Sequence, residues 1–177
     1  MKKLLFLIVF IVLGNSLSAQ GTADFTLMSA TNDSQFTLSK AKGKFVALHF
    51  LLKTECPYCI RHTQDYLDKA SKLPDVIQVF VKPDTDEEIK EWATNLPSGE
   101  TSGIPIYRDP EAKLAGQFNI PNGYQFHGQV VHYPALILLD PNGNEVFRYI
   151  GKDNSDRFPF EKLEAKIDEL KRETERN

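Results

Sequence analysis

Lys44-Phe45-Val46-Ala47-Leu48-His49-Phe50-Leu51-Leu52-Lys53-Thr54-Glu55-Cys56-Pro57-Tyr58-Cys59 carries the most structural information in this chain. Its first nine residues are almost continuously apolar, the pattern of a strand buried on both faces. The segment after Cys59 alternates apolar and polar residues with a helical period, placing Ile60, Thr63, Leu67 and Ala70 on one face with Tyr66 beside them. Cys56 and Cys59 are the only cysteines of the 177 residues, and they stand at this strand-to-helix junction. A helix start presents free backbone N–H groups and the positive end of the helix dipole, which favour a thiolate. The thiolate is the nucleophilic form, so the spacing makes Cys56 an attacking thiol. Cys59, one turn on, is then placed to resolve a mixed disulfide.

Other uses of a cysteine pair fit less well. A structural zinc site wants four ligands, and no second pair exists. A structural disulfide closing so short a loop would constrain little chain entropy.

Working outward, Lys2 and Lys3, the apolar run Leu4 to Leu13 and the small residues ending at Ala19 read as a signal peptide over 1–19. The apolar run is short of the ~20 residues of a membrane span. The expectation is an exported, periplasmic domain over 20–177, with no stable membrane insertion after cleavage. Removing the two lysines takes the formal charge from −3 to −5. That acidity argues against nucleic acid or an anionic membrane surface as partner.

Asp24 to Leu27 and Gln35 to Leu38 suggest an N-terminal hairpin. Val76 to Val81 reads as a central parallel strand. Thr85 with Glu88 forms a capping box for a helix burying Ile89, Trp92, Ala93 and Leu96. Ile104 to Tyr107 is a short extended piece. Asp109 and Pro110 then start a helix with Leu114, Ala115 and Phe118 inside. Residues 119–131 read as irregular. Pro134 to Leu139 and Glu145 to Ile150 flank the turn Asp140-Pro141-Asn142-Gly143, giving a hairpin. A last helix runs from about Phe160 to Glu173, burying Phe160, Leu163, Ile167 and Leu170. The order predicts an α/β chain with one central mixed sheet and helices on both faces.

This order, with Cys56-Pro57-Tyr58-Cys59 at the first strand–helix junction and Tyr133-Pro134 before the hairpin, resembles the thioredoxin-like fold. More narrowly it resembles the TlpA-like thiol–disulfide oxidoreductases, relatives of the AhpC/TSA peroxiredoxins, over about residues 24 to 172. The resemblance implies a thioredoxin-like domain with an extra N-terminal hairpin and an insertion before a cis-proline, Pro134. It further implies that Tyr133 and Pro134 form the substrate-binding side, with the Tyr133 backbone pairing with a bound peptide. No cofactor and no metal is expected, because the dithiol itself carries the electrons. The partners expected are thiol- or disulfide-containing proteins and a membrane redox donor.

The chain departs from these patterns at three places. Glu55 stands where many relatives have an aromatic residue, and a carboxylate there opposes thiolate formation at Cys56, with Lys53 as a possible offset. Phe50 replaces the buried acid that helps deprotonate the second cysteine. Lys53 and His49 occupy the positions where a peroxiredoxin wants Thr or Ser and Pro, which argues against a thiol peroxidase. His49 reads as a core or helix-facing histidine, His62 and His127 as surface residues. His132 keeps a second reading open: a copper-binding chaperone using Cys56, Cys59 and His132, since Cys and His are ligands copper prefers.

Overall fold

The computed structural model describes residues 21–53, 56–96, 103–126 and 129–176. The signal-peptide reading of 1–19, the Glu55 argument and His127 lie outside these residues. The strands are β1 (Thr26–Met28), β2 (Gln35–Thr37), β3 (Phe45–Phe50), β4 (Val76–Lys82), β5 (Ile106–Arg108), β6 (Asn122–Phe126), β7 (Gln129–His132), β8 (Ala135–Leu139) and β9 (Glu145–Ile150). The helices are α1 (Pro57–Lys69), α2 (Asp86–Ala93), α3 (Lys113–Gln117) and α4 (Phe160–Arg176).

The central sheet has the order β5-β4-β3-β8-β9. β3 pairs in parallel with β4 and antiparallel with β8, so the sheet is mixed, as the sequence predicts. β3 lies at its centre because all six of its residues are buried. Their alternation splits the core in two. Val46, Leu48 and Phe50 pack with β1, β2 and α3, while Ala47, His49 and Leu51 face the other layer, which holds α1, α2 and α4. The cysteines belong to this second layer. The predicted N-terminal hairpin is β1–β2.

Several boundaries differ from the sequence reading for identifiable reasons. The buried face of α1 is Cys59, His62, Thr63 and Tyr66, with Ile60 and Leu67 only partly covered. The stripe is rotated because the Cys59 thiol and the aromatic side chains of His62 and Tyr66 pack onto β3, against His49. His62 is therefore buried, not a surface residue. Residues 119–131 are not irregular, since β6 and β7 pair as a hairpin with a register shift between Asn122 and Tyr124. Gly and Pro near its ends had masked the period-2 pattern. Asp109 caps as expected but across a kink: Pro110–Ala112 form a tight turn, and the Asp109 carboxylate accepts the N–H groups of Leu114 (2.8 Å) and Ala115 (3.0 Å) in α3.

Candidate active site

Cys56 is the N-cap of α1 and Pro57 its first residue, where the missing N–H costs nothing. The cap is made by sulfur: the Cys59 N–H donates to Cys56 Sγ at 3.2 Å. Both cysteines are free thiols. Cys56 is 6% exposed and Cys59 fully buried.

A residue that the sequence reading missed completes the site. Arg157 Nη2 donates to Cys59 Sγ at 3.2 Å and to Cys56 Sγ at 3.4 Å. Arg157 sits on the loop between β9 and α4, about a hundred positions away in the chain. That loop is fixed by Asp156, whose carboxylate accepts from the Tyr149 hydroxyl (2.5 Å) and the Lys152 N–H (2.9 Å). It is also pressed onto Pro134 through Gly151, whose N–H donates to the Pro134 carbonyl at 2.8 Å. The only sequence signal was a cation in a polar loop following the hairpin, next to a dithiol without a base.

The electrostatics of the pair follow from this geometry. Burial alone would raise the Cys59 thiol, but the hydrogen bond from Cys56 and the charges of Arg157 and Lys82 outweigh it and hold Cys59 at about 6. Cys56 is pushed up by its hydrogen bond to Cys59, by burial and by the neighbouring Cys59 charge. The dithiol thus gives up one proton readily and holds the other. The cations that act on Cys59 are Arg157 and Lys82. Lys82 is fully buried, with its ammonium donating to the Leu52 carbonyl (2.6 Å), paired with Asp84 (3.1 Å) and 4.6 Å above the Trp92 ring.

Phe50, in the place of the missing acid, packs against Phe118 and His132 on the opposite face of the sheet. On the cysteine side, His49 Nδ1 lies 3.0 Å from His62 Nε2, and His49 Nε2 lies 2.8 Å from Gln78 Oε1. Burial lowers His49 to about 4, and His62 falls well below its ordinary value through burial, His49 and Arg157. Both rings are neutral at pH 7.

Pro134 lines one small cleft with His62, Asp156 and Arg157. Its peptide bond is not cis, because the described chain contains no cis peptide. The Tyr133 backbone is already engaged: its N–H donates to the Pro121 carbonyl at 3.0 Å, and its carbonyl accepts from His132 Nδ1 at 2.7 Å. These bonds run the β6–β7 hairpin straight into β8 through a trans peptide. His132 does not join the cysteines: among the described residues, no cluster of three or more His, Cys, Asp or Glu side chains is arranged to hold a metal ion. No described helix is long and apolar enough to cross a membrane.

A mixed sheet with a Cys-x-x-C pair capping the helix after its central strand defines a thioredoxin-like protein. The sequence fits the AhpC/TSA family over residues 19–146, and the chain belongs to that family. Among solved structures, it is similar to AhpC from Enterococcus faecalis, with 20% identity over 88% of this chain and 93% of that one and a TM-score of 0.71. The pneumococcal exposed lipoprotein thioredoxin Etrx1 from Streptococcus pneumoniae matches at 24% identity over 73% of this chain and 90% of that one, TM-score 0.58. BsSco, a member of the Sco family of cytochrome c oxidase assembly proteins, matches at 17% identity over 84% and 92%, TM-score 0.63. At these identities the likeness is one of fold. No curated protein matches the sequence.

Proposed function

We propose that this chain is an exported, TlpA-like thiol–disulfide oxidoreductase that reduces disulfides in proteins. The observation that carries the reading is the contact of one guanidinium nitrogen, Arg157 Nη2, with both sulfurs of a dithiol at a helix start. A thiolate held by Arg157 at neutral pH is the reactive species that exchange requires.

Cys59 loses the first proton, yet it is fully buried, and only Cys56 reaches the surface. Through the hydrogen bond between the two thiols, a minor fraction of the monoanion carries its proton on Cys59 and its charge on the accessible Cys56, and that fraction is the one that reacts. Cys56 Sγ then attacks a substrate disulfide. A Cys56–substrate bond forms, the substrate S–S bond breaks, and the departing substrate thiolate takes a proton from solvent. Cys59 loses its proton again and its thiolate attacks Cys56 Sγ. The intramolecular disulfide forms and the second substrate thiolate leaves. Two electrons have passed to the substrate, and a membrane thiol donor must return them. An oxidising envelope gives such a reductase its use.

The test is reduction of insulin by the dithiol form, together with the reduction potential of the pair. Turnover lost in Cys56→Ser, trapped as a mixed disulfide in Cys59→Ser, and a potential near or below about −270 mV support the proposal. A potential near about −120 mV would make the protein an oxidant. Peroxide consumption needing only Cys56 would make it a thiol peroxidase.

A further inference from the structure

We propose that Arg61, held over the Tyr58 ring, is a specificity-determining contact of the exchange: it takes a carboxylate side chain of the polypeptide whose disulfide Cys56 attacks. The proposal rests on the oxidoreductase reading and names what that enzyme would select.

Tyr58 and Arg61 stand three positions apart on α1, the spacing at which side chains on one helix face meet. Tyr58 is half-buried and packs on the core layer that holds both cysteines, so its ring is a fixed floor. The Arg61 guanidinium lies 4.7 Å from the centre of that ring. Stacking occupies a face of the planar fork and orients it, while its N–H groups stay directed outward at the edge. The acids of the same helix are taken by other partners. Asp65, one turn beyond Arg61, pairs with Lys69, and Asp68 accepts from Gln64. Arg61 is exposed, and its fork matches a carboxylate through two parallel hydrogen bonds.

The place of Arg61 relative to the reacting sulfur follows from helix geometry. Cys56 is the N-cap of α1 and is 6% exposed. A partner sulfur therefore meets it by settling on the start of α1, where Pro57, Tyr58, Ile60 and Arg61 present surface. Arg61 is five residues beyond Cys56, about 7.5 Å along the axis. A protein contact of ordinary size covers about 800 Å² on each partner, a patch of about 16 Å radius. A contact centred on Cys56 thus spans Arg61, and covering a guanidinium without an acceptor is costly. The chain as a whole carries a formal charge of −3, so its overall field disfavours an acidic substrate. A preference for carboxylate then has to come from a local cation.

The experiment measures kcat and KM for reduction of disulfide-linked ten-residue peptides, about 33 Å long when extended and so able to cover this patch. Each position near the cysteine is in turn glutamate, glutamine or lysine. Glutamate at one position should lower KM roughly 5-fold against glutamine, the upper end for an exposed ion pair, with lysine worse than either. Arg61→Met should erase that ranking, Arg61→Lys should keep part of it, and Tyr58→Leu, which removes the floor, should weaken it. Arg172→Met is the control for net charge: its neighbour Lys171 pairs with Asp75, just before β4 and so at the other end of the sheet from Cys56. That variant should leave the ranking in place. An equal loss in Arg172→Met and Arg61→Met overturns the proposal, as does a KM indifferent to charge at every position. Failure of the wild-type protein to reduce hydroxyethyl disulfide, which has no charge to read, would sink the oxidoreductase reading itself.

Discussion

Arg157 Nη2 lies 3.2 Å from Cys59 Sγ, bringing a cation from the β9–α4 loop onto the buried sulfur of α1. Removing that charge should raise the first thiol ionisation. In Arg157→Met, the thiolate absorbance at 240 nm should titrate roughly 1–3 units above the wild-type midpoint of about 6. Arg157→Lys should fall between the two, because an ammonium keeps the charge but not the fork. An unchanged midpoint would remove Arg157 from the site.

The His49–His62 pair predicts acid sensitivity. Both rings are buried and neutral, with folded-state values below the ordinary 6.5, near 4 for His49. The unfolded chain therefore binds more protons as pH falls. The stability these rings contribute is complete above about pH 6.5 and is lost progressively toward pH 4. Urea unfolding at pH 7.0, 6.0 and 5.0 should show midpoints falling in that order. A flat profile would mean that the rings are charged or exposed in solution.

Gly151 should not tolerate a side chain. A Cβ there would meet the Asp156 carbonyl oxygen at 2.4 Å and Pro134 Cγ at 2.8 Å, neither of which is the end of a flexible chain. Gly151→Ala should cost about 1–3 kcal/mol, as overpacking does. Because the displaced loop carries Arg157, the thiol titration should move up as well. A stability loss with the titration unmoved would separate the loop from the dithiol.

Lys82 is the second cation that reaches Cys59. Lys82→Met removes the cation 3.1 Å from Asp84 inside the protein and should cost about 3–5 kcal/mol, the usual penalty for removing one member of a buried ion pair. Adding Asp84→Leu should recover part of that loss. Thermal unfolding of the single and double variants reads this directly.

What the sequence disclosed was local. The capping box is there, with Thr85 and Glu88 each satisfying the other's backbone, because both partners lie within one turn. The Asp140–Gly143 turn joins β8 and β9, since Asn142-Gly143 supplies the positive φ that it needs, 87° at Gly143. His49 faces α1, as strand alternation required. What stayed hidden was tertiary. Arg157 meets the cysteines only because β9 is threaded beside β8. The burial of His62 depends on which face of α1 lies against β3. The Tyr133 N–H is taken by the Pro121 carbonyl, a partner no local pattern names.

The guanidinium shared by two sulfurs also makes the protein's oxidation state visible from outside. While one sulfur is a thiolate, the charge of Arg157 is cancelled within the site. Once Cys56 and Cys59 are joined, neither carries charge, and Arg157 remains. The spent face is then one unit more positive than the charged-up face. An electron donor with an acidic docking surface would hold the spent form more tightly and release the recharged one, so each cycle favours exchange of partners. Ion-exchange chromatography of the reduced and oxidised protein at pH 7.5 should separate the two forms, and in Arg157→Met the reduced form should elute closer to the oxidised one.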